Sequence, residues 1–231
     1  MGFLGAALIG AAVLSSACVT PRPREAGGRE TVFLVHGMGR TRASMLFLAH
    51  RLRKAGYRTV NVPYNHAARS LDEVTAGLQG LVARESGGRP YHLVGHSLGN
   101  VVIRNGFKAG YPPGLGRVVM LAPPNAPAHL AVELKDSWPY RWVGGDSGQR
   151  LADPEFYRGL PAPSVEFGVL AGDKGQALTF SEPNDGIVAV SETRLEGMKD
   201  FRVLHRTHTF LMNAPDAFAQ CLAFLRNGRF D

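Results

Sequence analysis

The stretch from Tyr91 to Gly99, Tyr-His-Leu-Val-Gly-His-Ser-Leu-Gly, constrains this chain more than any other. Tyr91-His92-Leu93-Val94 is a short apolar run bounded by Gly and Pro, which predicts a buried strand. Leu98-Gly99-Asn100-Val101-Val102-Ile103-Arg104 predicts the start of a helix. Ser97 therefore stands on a sharp strand-to-helix turn with Gly95 and Gly99 on either side. Such a turn holds the serine at a strained backbone angle that pushes its Oγ out of the sheet, and only glycine leaves room on both flanks. Ser97 is the candidate nucleophile.

The rest of the chain repeats the alternation of strand and helix. Thr31–Val35 predicts a strand that ends in His36-Gly37-Met38-Gly39. Met45, Leu48, Ala49 and Leu52 mark one face of a helix that stops at Gly56. Residues 57–64 alternate like a strand, and a second helix opens at Leu71 and runs towards Gly87-Gly88. Strands are predicted over 117–122, 165–171 and 201–204, and a closing helix over 216–227. Regular alternation of this kind implies right-handed crossovers, a mainly parallel sheet and helices on both of its faces. Residues 125–163 break the rhythm, with Trp138, Tyr140, Trp142, Phe156 and Tyr157 set among Gly and Pro. They predict a helical excursion that packs aromatics on the domain, or a cap whose apolar face holds an acyl group.

With 231 residues, 45% of them hydrophobic, the chain can bury one sizeable core but not two ordinary domains. Net charge is +7, carried mostly by arginine, since Lys54, Lys108, Lys135, Lys174 and Lys199 are the only lysines. A basic surface suits anionic membranes or acidic ligands. No Lys/Arg tract is interleaved with aromatics, so nucleic acid is not an expected partner. Phe3 to Leu14 is an uncharged apolar run too short to span a bilayer, and Ser15-Ser16-Ala17 precedes Cys18 as a cleavage site requires. A cysteine after such a site resembles a bacterial lipoprotein signal, in which that cysteine is lipidated. Leu14 stands one place further from Cys18 than that pattern has it. The expected organisation is a signal peptide over 1–17, a tether over 18–30 and one domain over 31–231. The place is extracytoplasmic in a bacterium, with attachment to the membrane through a lipid on Cys18; otherwise the protein is periplasmic or secreted. Cys221 lies in an apolar helical pattern and reads as a small buried hydrophobe.

Gly95-His96-Ser97-Leu98-Gly99 between strand and helix resembles the nucleophile elbow of the α/β-hydrolase superfamily, and of bacterial serine lipases and esterases within it. The resemblance runs from Thr31 to about Phe224 and implies the α/β-hydrolase fold with a short cap over about 125–163. His36-Gly37-Met38-Gly39 resembles that family's oxyanion loop, which implies backbone N–H donors at Met38 and Leu98, with His36 holding the loop. The base is expected after the last strand. His205 continues that strand and His208 lies in the loop beyond it; the family's base sits in such a loop, which favours His208. Asp173 and Asp185 both stand where the acid could be. Asn184-Asp185-Gly186-Ile187-Val188 resembles the family's N-D-G-x-V stretch and favours Asp185. The order Ser97, Asp185, His208 is that of the fold. His50, His66, His92, His96 and His129 have no metal-like spacing and read as surface or packing residues.

The implied activity is hydrolysis of a small-molecule or lipid carboxylic ester through an acyl-enzyme, with no cofactor and no metal. Two alternatives share these residues. An acyltransferase would pass the same acyl group to an alcohol or amine, and a binding lipoprotein would keep the fold without turnover.

Overall fold

The computed structural model describes residues 29–231, so the signal-like stretch and Cys18 lie outside the described residues. Six strands form one sheet: β1 (Thr31–Val35), β2 (Arg58–Asn61), β3 (Tyr91–His96), β4 (Leu115–Leu121), β5 (Glu166–Gly172) and β6 (Asp200–Leu204). Their order is β2-β1-β3-β4-β5-β6, and every pairing is parallel. β1 and β3 are neighbouring interior strands, and every one of their residues is buried. Strands covered on both faces read as continuous apolar runs, which is why the runs at 31–35 and 91–94 stood out.

The helices are α1 (Leu46–Lys54), α2 (Leu71–Ser86), α3 (Leu98–Gly106), α4 (His129–Leu134), α5 (Trp138–Arg150), α6 (Pro154–Arg158), α7 (His208–Leu211) and α8 (Pro215–Asn227). Two apolar clusters lie on opposite faces of the sheet, as alternating strand residues require. Phe33, Val35, Leu93, Val118 and Met120 face α2 and α3, through Leu71, Val74, Leu78, Val101 and Val102. Val32, Leu34, Val94 and Val119 face α1 and α8, through Leu48, Leu52, Cys221 and Phe224. α2 starts at a full capping box between Ser70 and Glu73 and stops at Gly87, whose φ of 56° is the left-handed form glycine supplies. Cys221 is fully buried and burial pushes its thiol up to about 12, so it packs as a hydrophobe.

β2 is shorter than the alternation over 57–64 suggests: Tyr57 and Val62 are buried, but the strand ends at Asn61 and the chain becomes a loop that returns to the turn after β1. Residues 125–163 leave the sheet between β4 and β5 and form α4, α5 and α6. Phe156 and Tyr157 pack into the core, and Tyr157 O–H donates to Pro124 C=O at 3.0 Å. Trp138 and Trp142 instead face solvent, 76% and 77% exposed. The excursion returns past a buried cation. Arg104 of α3 is 2% exposed, and its guanidinium donates to the carbonyls of Leu160, Pro161 and Asn125 and to Asn125 Oδ1.

Candidate active site

All six strands point the same way, so the loops after β1, β3, β5 and β6 gather over one edge of the sheet. Ser97 sits between β3 and α3 with φ 52° and ψ −125°, a conformation that costs a non-glycine residue of order 1–3 kcal/mol. Neighbouring contacts hold it there. Ser97 N–H donates to Leu121 C=O at 2.9 Å, and Ser97 C=O accepts from Asn100 N–H at 2.9 Å and Asn100 Nδ2 at 3.2 Å. The flanking glycines answer to space and not to dihedral angle. A Cβ on Gly95 would stand 2.3 Å from Asn100 Oδ1, and one on Gly99 would stand 2.2 Å from Val35 C=O. The tight turn thus presses α3 against the end of β1.

Gly37 of the β1 turn also closes on Ser97: a Cβ there would lie 2.9 Å from Ser97 Cβ. Met38 follows, half-buried, beside Tyr140 of α5. Leu98, the first residue of α3, has its N–H among the unsatisfied donors of that helix start. Both expected oxyanion residues therefore border the Ser97 turn.

His208 opens α7, and Asp185 lies in the loop between β5 and β6. The structure brings them together. His208 Nδ1–H donates to Asp185 Oδ2 at 2.7 Å, and His208 N–H donates to Asp185 C=O at 2.9 Å. Asp185 Oδ1 accepts from the N–H groups of Ile187 at 3.0 Å and Val188 at 2.8 Å, so both carboxylate oxygens are used. The pair is buried, with Asp185 2% and His208 8% exposed. With Nδ1–H donating to the carboxylate, Nε2 is the ring nitrogen left to accept a proton, the arrangement a base needs. Among the described residues no hydrogen bond joins the Ser97 hydroxyl to His208; the link between the two turns runs through His96. His96 Nε2–H donates to His208 C=O at 2.9 Å, and the two rings stand 4.9 Å apart.

The two competing residues find each other instead. His205 Nδ1 and Asp173 Oδ1 are 2.9 Å apart in a surface pair whose His205 side chain is 76% exposed. His205 faces out because it continues the β6 register, whereas His208, three residues on, folds back over the sheet.

Two residues read only as packing or surface positions take part in the site. His96 carries the contact just described, and burial, followed by the neighbouring His208, pushes its imidazole down to about 3. His66, on the loop after β2, accepts the N–H of Gly39 at its Nε2, 3.2 Å away. Tyr64 from the same loop stacks on His36 at 4.0 Å and donates its hydroxyl to His36 C=O. Tyr64 and His66 are two apart beyond a short strand, a placement that lets them reach one turn; their distance from residues 36–39 in sequence hid the partnership. A cleft of about 420 Å³ opens here, between Gly39, His66 and Trp142. Among the described residues no group of three or more His, Cys, Asp or Glu side chains could hold a metal ion.

The sequence profile of the alpha/beta hydrolase family matches residues 32–224. No curated protein matches the sequence. Among solved structures, the mature form of a Bacillus licheniformis lipase superposes with a TM-score of 0.66 at 17% identity, covering 85% of this chain and 91% of that one. An extracellular alpha/beta-hydrolase from a Paenibacillus species gives 0.59 at 15% identity, covering 85% and 98%. A metagenomic carboxyl esterase gives 0.60 at 18% identity, covering 79% and 65%. At these identities the likeness is one of fold.

Proposed function

The chain belongs to the alpha/beta hydrolase family, and from that premise we propose that it cleaves carboxylic esters through Ser97, His208 and Asp185. The observation that carries this reading is the buried His208–Asp185 pair set beside a serine held at a strained turn. In this mechanism His208 Nε2 takes the Ser97 proton, and Oγ attacks the ester carbonyl. The N–H groups of Met38 and Leu98 hold the oxyanion that forms. As the intermediate collapses, His208 gives the proton to the departing alkoxide, leaving the acyl group on Ser97. Water, deprotonated by the same nitrogen, then attacks the acyl carbonyl, and the carboxylic acid leaves as Ser97 regains its proton. Asp185 fixes the Nδ1–H tautomer and stabilises the imidazolium that forms twice per cycle.

The half-buried Tyr140 beside Met38 and the cleft under Trp142 support an apolar acyl group, and the lipase and carboxyl esterase among the structural neighbours support an ester. The test is a chain-length series of p-nitrophenyl esters with wild type and Ser97→Ala side by side. Wild type should turn over at least one ester, and Ser97→Ala should fall by about a millionfold in kcat. Full activity in Ser97→Ala would overturn the assignment. We further propose, from the sequence of the first 18 residues, an extracytoplasmic enzyme carrying a lipid on Cys18. Mass spectrometry of the mature N-terminal peptide tests this, and an unmodified or uncleaved terminus would count against it.

A further inference from the structure

The Met38 N–H belongs to the peptide between Gly37 and Met38. That unit is planar and trans, so the direction of its N–H follows from the direction of the Gly37 carbonyl. Three successive peptides of the turn each carry one side-chain attachment. The His36–Gly37 peptide is held where Tyr64 O–H donates to His36 C=O. The Gly37–Met38 peptide is held where His36 Nδ1–H donates to Gly37 C=O at 2.9 Å. The Met38–Gly39 peptide is held where Gly39 N–H donates to His66 Nε2 at 3.2 Å. The donating N–H of Met38 lies in the middle one, which His36 holds directly and the two outer attachments hold through the torsions on either side.

Of the three, the outer attachment at Gly39 is the one the chain itself does least to secure. Gly39 is exposed and has φ 65°, a region glycine enters and leaves at little cost. Water would otherwise take its N–H in many directions. His66 instead offers one lone pair from a ring that is only 6% exposed. Because Nε2 accepts, the proton of the neutral ring sits on Nδ1. His36 complements it: burial lowers its pKa, so it stays neutral, and the geometry puts its proton on Nδ1, facing Gly37 C=O.

We propose that His66 is a positioning residue of the oxyanion turn: by fixing Gly39 N–H it completes, with His36 and Tyr64, the clamp that aims Met38 N–H at the Ser97 site. The inference rests on Met38 being an oxyanion donor, as proposed above. It differs from a substrate-binding role for His66, which also lines the cleft beneath Trp142. A positioning residue affects the transition state, in which the oxyanion exists, and leaves ground-state binding alone.

Steady-state kinetics on p-nitrophenyl esters separate the two. His66→Ala should lower kcat roughly ten- to a hundredfold with KM within about twofold, the scale set by a misaimed donor. His66→Gln places an amide oxygen near the position of Nε2 and should recover most of the lost kcat. Tyr64→Phe, which frees the peptide on the other side, should lower kcat in the same direction. Thermal unfolding of each variant shows whether the domain is intact, and the Gln variant carries the test if the Ala variant does not fold. An active wild type with an equally active His66→Ala overturns the inference alone, as does a change confined to KM or a Gln variant slower than Ala. An inactive wild type overturns the functional reading and this inference with it.

Discussion

Lowering the pH should weaken this fold through His96 by an amount that can be worked out in advance. His96 is 1% exposed between the Ser97 turn and the His208 ring, and among the described residues its Nδ1 has no hydrogen-bond partner. Burial, and then the adjacent His208, push its pKa down from 6.5 to about 3. Below pH 6.5 the unfolded chain takes up a proton that the folded protein refuses. The contribution of this group is therefore whole above pH 6.5 and is lost as pH falls from there towards 3. Between pH 7 and pH 5 the loss is about 2 kcal/mol, from the ratio of the two titrations. His36, also lowered by burial, acts in the same direction. Urea unfolding of wild type and His96→Gln at several pH values between those limits isolates the His96 share. The glutamine amide can keep the donation to His208 C=O and does not titrate. Wild type should lose about 2 kcal/mol more than the variant on going from pH 7 to pH 5. Parallel stability curves for the two proteins would refute the burial argument.

Other expectations follow from the same contacts. Asp185→Asn should cut kcat by about 10⁴, because the amide favours the wrong imidazole tautomer; Asp173→Asn and His205→Gln, in an exposed pair, should stay within about twofold. A ranking in which Asp173→Asn is the slow variant would reassign the acid. Gly99→Ala drives a Cβ to 2.2 Å from Val35 C=O, a backbone atom held at the end of the buried strand β1, and should cost about 3 kcal/mol or more in thermal or urea unfolding. Arg104→Met leaves the carbonyls of Leu160 and Pro161 without their donor and should lower stability by about 3 kcal/mol, read as a drop in the melting temperature. An unchanged melting temperature would mean that water replaces the guanidinium.

Much of the fold was legible because its signals are local. The runs at 31–35 and 91–94 lie in strands with both faces covered, so their burial needs no partner to be recognised. Met45, Leu48, Ala49 and Leu52 repeat with the period of a helix, and all four are buried. The Ser97 turn was legible for the same reason, since glycine, serine and glycine at fixed spacing mark a turn too tightly packed for a Cβ on either flank. β2 was less so: its alternation overran the strand, because nothing in the sequence says where pairing with β1 ends. The aromatics of 125–163 were legible as a group but not in their fates, with Phe156 buried and Trp142 exposed, since burial depends on which side of a helix meets the domain.

What the sequence determined by itself is therefore the order of elements, the turn at Ser97 and the short set of residues from which acid and base could be drawn. Only the tertiary structure decided the pairing within that set, Asp185 with His208 in the interior and Asp173 with His205 at the surface. It alone brought His66 to Gly39 and His96 to His208. The physical reason is one of range. Helix, strand and turn preferences act between residues a few places apart, whereas a hydrogen bond between positions 96 and 208 exists only once the sheet has set its strands side by side.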